Sequence, residues 1–304
     1  MRSLSRNELT AFALLVLVMA LWSGNSIIGR AVRDDIPPST LAFIRWAGAL
    51  VVLLPIAGRG LVRDRPALRA SWRVVLALGV IGIGGFNGLL YSGLHHTTAT
   101  NALLLQAAIP AGVLVADRLL NGVRHPTMQR LGVGVSTLGV AVIVFEGDPA
   151  RLLGLHLGRG DALVLAAVLS WALYTVWLRH APKVAPLSLL TATFIIGMLV
   201  MAPFALAEYL AGERIVWSAG TIGALAYVCL LPSIIAYSIY NWATHTLGAG
   251  RAGQAITLMP LFGALLSAAL LGEALHLYHL AGMALILLGI VASAFAGRRQ
   301  ATGA

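Results

Sequence analysis

Charge is what this chain has least of. Charged side chains make up 11% of its 304 residues, while hydrophobic ones reach 59%; an average soluble chain is about 25% charged. That balance excludes a water-soluble globule and makes the lipid bilayer the first expected partner. Cysteine is all but missing. The single Cys229 can make no intrachain disulfide, and its place in an apolar run reads as a small buried residue. Catalytic signatures are missing as well: there is no GxSxG, HExxH or GxxxxGKS/T arrangement and no metal-ligand cluster, so no enzyme, cofactor or metal site is expected. The run "GRGD" ending at Asp161 imitates an intramembrane aspartyl protease, but no second intramembrane aspartate is there to share a proton. No carboxylate falls in the middle of an apolar stretch, which removes the usual titrating group of a proton-coupled carrier.

What fills the chain is apolar sequence in helix-length stretches. A hydrocarbon core of ~30 Å needs ~20 helical residues. Stretches of that order fall at residues 9–29, 38–58, 73–94, 98–119 and 129–146, and again at 160–180, 186–207, 219–243, 250–271 and 277–296. The expected fold class is an all-α integral membrane protein of ten transmembrane helices. The first stretch follows Arg2 and Arg6 as a signal peptide would, but it is too long and lacks a small-x-small cleavage site.

The stretches read as five helices, twice. Pro110 and Pro260, Gly122 and Gly272, Gly132 and Gly282, and Gly139 and Gly289 each stand 150 residues apart; Trp22 and Trp171, and Pro37 and Pro186, stand 149 apart. The chain thus divides into repeats 1–150 and 151–304. An odd number of helices per repeat sends the second half into the membrane from the opposite side, so a two-fold axis in the membrane plane relates the halves. Arginine sets the orientation. With the N-terminus in the cytoplasm, only Arg30, Arg33, Arg151, Arg159 and Arg214 fall outside, and most of the other basic residues fall inside. The positive-inside rule then puts both termini in the cytoplasm. The net charge of +10 is topological, and nucleic acid is not an expected partner.

A carrier needs a polar path through this apolar bundle, so deep polar side chains are the candidates for binding. Asn87 and Tyr91 share a face of the third helix, and their repeat partners Tyr237 and Asn241 carry the same chemistry exchanged. Trp22 and Asn25 on the first helix match Trp171 and Tyr174 on the sixth, offering flat walls for an aromatic or aliphatic group. Asn101, Gln106 and Gln254 complete the set. Pro110 and Pro260 remove backbone donors near mid-span and mark expected kinks, with Pro232 a third; its repeat counterpart Gly82, in the run "GVIGIGGFNG", permits close helix packing, the commoner reason, or a hinge. Trp46, Trp72, Trp217 and Tyr209 are expected in the interfacial aromatic belt. Arg45 stands seven residues past Pro38, ~10 Å along a helix, where an arginine can snorkel or meet helix carboxyl ends; a structural role is preferred to substrate binding. Asp117, Asp161 and Glu273, at stretch ends, are expected to be solvated or capping.

The run "GAGRAGQAITLMPLFGALLSAALLGEALHLYHLAGMALILLGIVAS", Gly248 to Ser293, resembles the EamA-type repeat of the drug/metabolite transporter superfamily. The matching elements are Gly248 and Ala249, a mid-helix Pro260, "LLGE" ending at Glu273, and the final "LAGMALILLGI" helix. A weaker copy in the first half has Val123 in place of the glutamate, and Arg45 in "TLAFIRWAGAL" is similar to the superfamily's second-helix pattern. The resemblance implies a ten-helix exporter, most like the bacterial aromatic amino-acid exporter branch. The expectation is an inner-membrane exporter of small neutral or zwitterionic metabolites, amino acids first and aromatic ones preferred, working by facilitated alternating access. Its substrate would be met by amide, phenol and backbone dipoles instead of full charges. A multidrug or other metabolite exporter, proton-coupled or facilitative, is the alternative; the oligomeric state is left open.

Overall fold

The computed structural model describes residues 5–97, 102, 105–148, 150, 158–271 and 276–296, and every element among them is helical. α1 (Arg6–Ala31) starts on a capping box: the Ser5 hydroxyl accepts from the Glu8 amide at 3.2 Å, and the Glu8 carboxylate accepts from the Ser5 amide at 2.9 Å. α2 (Pro38–Ala70) and α7 (Pro186–Leu210) each open on a proline, whose fixed φ suits a first helical turn. α3 (Trp72–His96), α5 (Thr127–Val144), α6 (Arg159–Trp177) and α8 (Ala219–Leu247) complete a set of seven helices, among the described residues, long and apolar enough to cross a bilayer. Shorter pieces supply the rest. α4 (Ile109–Asn121) ends on Gly122, whose φ of +67° closes the helix in the left-handed region that glycine tolerates. α9 (residues 249–271) is broken into Ala249–Gln254, a 3-10 turn Ala255–Leu258 and Met259–Leu271, and α10 (Leu277–Ala296) follows.

α2 runs twelve residues beyond its expected end at 58, to Ala70, with Pro55 and Pro66 inside it. The extension is too charged to register as membrane sequence, yet it is anchored: the Asp64 carboxylate accepts from the Ala185 amide at 2.9 Å, just before α7 begins.

Both α3 and α8 loosen to an i→i+5 ladder near mid-length, over Leu78–Gly85 and Leu230–Ile235. Such π segments are rare and gather at functional sites. Their causes are local. Pro232 has no N–H to offer the Val228 carbonyl, and the Ser233 hydroxyl supplies the missing donor at 2.6 Å. On α3, Gly82 lies against the Tyr174 ring, where any Cβ would collide with it.

The most extensive packing joins α2 to α7 and α5 to α10, followed by α3 to α6 and α1 to α8. Lipid offers no hydrophobic gain for helix association, so close backbone approach through small residues carries the α5–α10 seam. Gly132 meets the Gly289 backbone, and Gly139 meets that of Gly282. Ser136 donates to the Ile286 carbonyl at 3.2 Å, and Ser293 to the Gln129 carbonyl at 3.2 Å. At the middle of the bundle, α1, α2, α3, α6 and α8 bring their aromatic residues together.

Candidate functional site

Arg45 sits at the centre of the bundle with 1% of its surface exposed. The expected snorkelling does not occur, because polar groups from three other helices meet the guanidinium inside. Nη1 donates to the Asn25 amide oxygen at 2.8 Å, the Asn87 amide oxygen at 3.0 Å and the Tyr91 hydroxyl at 2.8 Å. Nε donates to the Ser233 hydroxyl at 2.7 Å, and Nη2 to the Pro232 carbonyl at 3.3 Å. Tyr91 in turn donates to the Asn25 oxygen at 2.8 Å. The π segment of α8 thus presents two acceptors to α2, and Pro232 also accepts from Trp22 Nε1 at 3.1 Å. Trp46, expected in the interfacial belt, is fully buried beneath this network: its ring lies 4.7 Å from the Arg45 guanidinium carbon and 4.6 Å from Phe194. The tight α2–α7 contact takes it there. Trp72, Trp217 and Tyr209 are exposed.

An aromatic cluster continues from Arg45. Trp22 meets Trp171 edge-on at 4.9 Å, and Tyr237 stands 5.7 Å from Trp22 and 5.4 Å from Trp171; Phe86 lies 4.7 Å from Trp171. Such geometries let positive ring edges approach negative faces. Between them and Arg45 lies a cavity of about 20 Å³, little more than one water molecule requires. Trp22, Asn25, Asn87, Gln106, Trp171 and Tyr237, all named from the sequence, line it together with Arg45. Ile109, Ile256 and Met259 close the side toward α4 and α9.

The other named residues go elsewhere. Tyr91 stands behind Arg45, and Tyr174 donates to the Asn241 oxygen at 2.8 Å beside the cluster. Gln254 turns to the α5–α10 seam, donating to the Gly289 carbonyl at 2.9 Å and the Ser136 hydroxyl at 3.3 Å. Asn101 and Glu273 lie outside the described residues. Pro110 falls in the first turn of α4, after a turn at Ala107 and Ala108, and Pro260 follows the 3-10 turn of α9, so each begins a helical segment instead of bending one in its middle. Sequence reasoning passed over Ser233, although a serine directly after a mid-helix proline is a signal for a substitute donor.

Polar ties close both ends of the bundle. At the end where α1 starts, Asp117 is 1% exposed and accepts from Arg179 at 2.8 Å and Asn121 at 2.9 Å, with His125 Nε2 3.2 Å away. Expected to be solvated or capping, it is instead buried in an ion pair. Arg251 pairs there with Glu8 at 3.4 Å. At the opposite end Asp161 caps α6 through the Gly158 amide and accepts from the Thr97 hydroxyl at 2.5 Å. Arg30 reaches the Leu94 carbonyl at 2.6 Å, and Glu208 accepts from the Ser39 and Thr40 amides at 2.8 Å, at the start of α2.

Residues 9–145 and 158–295 each match the family model described as the EamA-like transporter family. The chain is 26% identical to an uncharacterized transporter of Bacillus subtilis over 84% of its own length and 83% of the relative's. It is 27% identical to a Salmonella typhimurium protein named "Probable amino-acid metabolite efflux pump", covering 95% and 96% of the two chains. One crystal structure shares the fold with a TM-score of 0.74 at 21% identity, covering 96% of this chain and 98% of that one.

Proposed function

Because the chain belongs to the EamA-like transporter family, we propose that it is a bacterial inner-membrane exporter of small neutral or zwitterionic metabolites, amino acids first and aromatic ones in particular. The observation that carries this reading is the central cavity, where amide and phenol groups stand among Trp22, Phe86, Trp171 and Tyr237. Flat apolar walls with a few fixed polar groups suit a side chain at one end and a polar head at the other. The Salmonella relative's name points to the same substrate class.

The mechanism is facilitative alternating access by two inverted five-helix repeats, residues 1–150 and 151–304, with both termini cytoplasmic. Contacts between repeat equivalents support it. Asn87 touches Tyr237 and Ser136 touches Ile286, each pair 150 residues apart, and Trp22 touches Trp171. Such self-contacts lie on a two-fold axis. The crossed contacts agree: Gly132 faces Gly289 while Gly139 faces Gly282. The cavity as it stands admits no amino acid, so loading requires one set of end ties to open while the other holds. Gly82, Pro232 and the breaks before Pro110 and Pro260 are the flexing points in this scheme.

Reconstitution tests it. Liposomes carrying purified protein should exchange labelled phenylalanine or tryptophan without a pH gradient. Uptake only under an imposed proton gradient would overturn the facilitative mechanism, and exchange of no amino acid would overturn the substrate class.

A further inference from the structure

Every partner of Arg45 among the described residues is neutral: two amides, two hydroxyls and a carbonyl. A guanidinium carries five N–H donors, and Nη2 makes a single hydrogen bond within this set. An arginine held inside a membrane protein bears a desolvation cost. Burial of a charge is ordinarily matched by an opposite one, and here the matching charge is missing from the described partners. Rigidly held on α1, α2, α3 and α8, the guanidinium forms part of the cavity wall opposite Ile109, Ile256 and Met259. That is a fixed positive site with an aromatic chamber beside it.

We propose that Arg45 is the anion subsite of this cavity and that the transported molecule must carry a carboxylate, which binds the guanidinium while its apolar part enters the Trp22–Trp171–Tyr237 cluster. The assignment rests on the reading of the chain as a carrier of small metabolites and revises it in one respect: a full charge, and not dipoles alone, reads the substrate head. Nε and Nη1 are already engaged, so the remaining Nη2 N–H is the donor that meets a carboxylate oxygen, beside the full charge of the guanidinium. The Asn25, Asn87 and Tyr91 oxygens hold the guanidinium before the ligand arrives, so little reorganisation opposes binding.

Asn25 offers the decisive variant. Its oxygen accepts from Arg45 and Tyr91, whereas its nitrogen donates to none of the described residues. Asn25→Asp therefore installs a carboxylate against Arg45 with little change of shape. The experiment measures exchange in liposomes, and binding by calorimetry in detergent, for phenylalanine, 3-phenylpropionate, phenylalaninamide and phenethylamine. Wild type should favour the two carboxylates over the amide and the amine by about tenfold or more, the scale of a hydrogen bond to a charged group. Asn25→Asp should keep its melting temperature and lose that preference; Arg45→Gln should lose it too, and Arg45→Lys should recover part of it. Equal handling of acid and amide by wild type, or an unchanged preference in Asn25→Asp, would overturn the anion subsite while leaving the carrier reading intact. Failure of every probe to move or bind would remove both.

Discussion

Asn87 donates from its amide nitrogen to the Tyr237 hydroxyl at 3.3 Å, although 150 residues separate them in the chain. Each residue occupies the other's place in the second copy of the pattern. The same amide turns its oxygen to Arg45 at 3.0 Å, so one side chain joins this pair to the buried cation.

Tyr237→Phe removes the hydroxyl and keeps the ring against Trp22 and Trp171. Unfolding free energy should fall by only about 0.6 kcal/mol, the mean for an interhelical hydrogen bond in a membrane. Liposome competition assays should show altered discrimination among aromatic amino acids, and an unchanged ranking would remove Tyr237 from the binding set.

Ser233→Ala leaves the Val228 carbonyl without its substitute donor and Arg45 Nε without its acceptor. A loss of about 2–3 kcal/mol is expected from two unsatisfied buried groups, one of them charged. Ser233→Thr, which restores the hydroxyl, should recover much of it in thermal unfolding; a loss equal to alanine's would contradict the role given to the hydroxyl.

Glycines on a single helix should part company. Gly139→Ala drives a methyl into the Gly282 backbone, whereas Gly134 on the same α5 has open space around it. The first change should destabilise by about 1–3 kcal/mol through overpacking. Gly134→Ala should instead stabilise by roughly 0.5–1 kcal/mol through helix propensity. Melting curves of the two variants decide it, and parallel behaviour would refute the seam.

Asp117 and Arg179 tie α4 to the segment after α6 at 2.8 Å. Arg179 is partly exposed, so a double-mutant cycle with Asp117→Asn and Arg179→Gln should give a coupling of about 1 kcal/mol or less. If this tie closes the α1-start end, either single variant should also speed exchange by making that end easier to open. Additive stabilities with unaltered exchange would assign the pair no part in gating.

The helical class and six of the thirteen residues lining the cavity were legible because they rest on composition and period. Trp22, Asn25, Asn87, Gln106, Trp171 and Tyr237 announce themselves as polar or aromatic side chains at helix depth. Arg45 did not, since its partners lie 20, 42, 46, 187 and 188 positions away and carry no charge to suggest a pair. Trp46 misled for a related reason: a tryptophan near a helix start resembles an anchor until the neighbouring helix is known to cover it. For the π segments the sequence showed the place, at Pro232 and Gly82, and not the form, because a ladder shifted by one residue changes which carbonyls are used and not which residues prefer the helix. Gln254 is deep and polar, as expected, but depth does not say which neighbour the side chain will meet.

The Pro232 carbonyl receives both Trp22 and Arg45. One backbone oxygen therefore latches two helices to a third, and a displacement of α8 against both α1 and α2 gives up two bonds. Motion through this point exchanges hydrogen-bond partners inside the bundle. A turnover cycle that passes through it should slow steeply on cooling, more steeply than diffusion through an open pore.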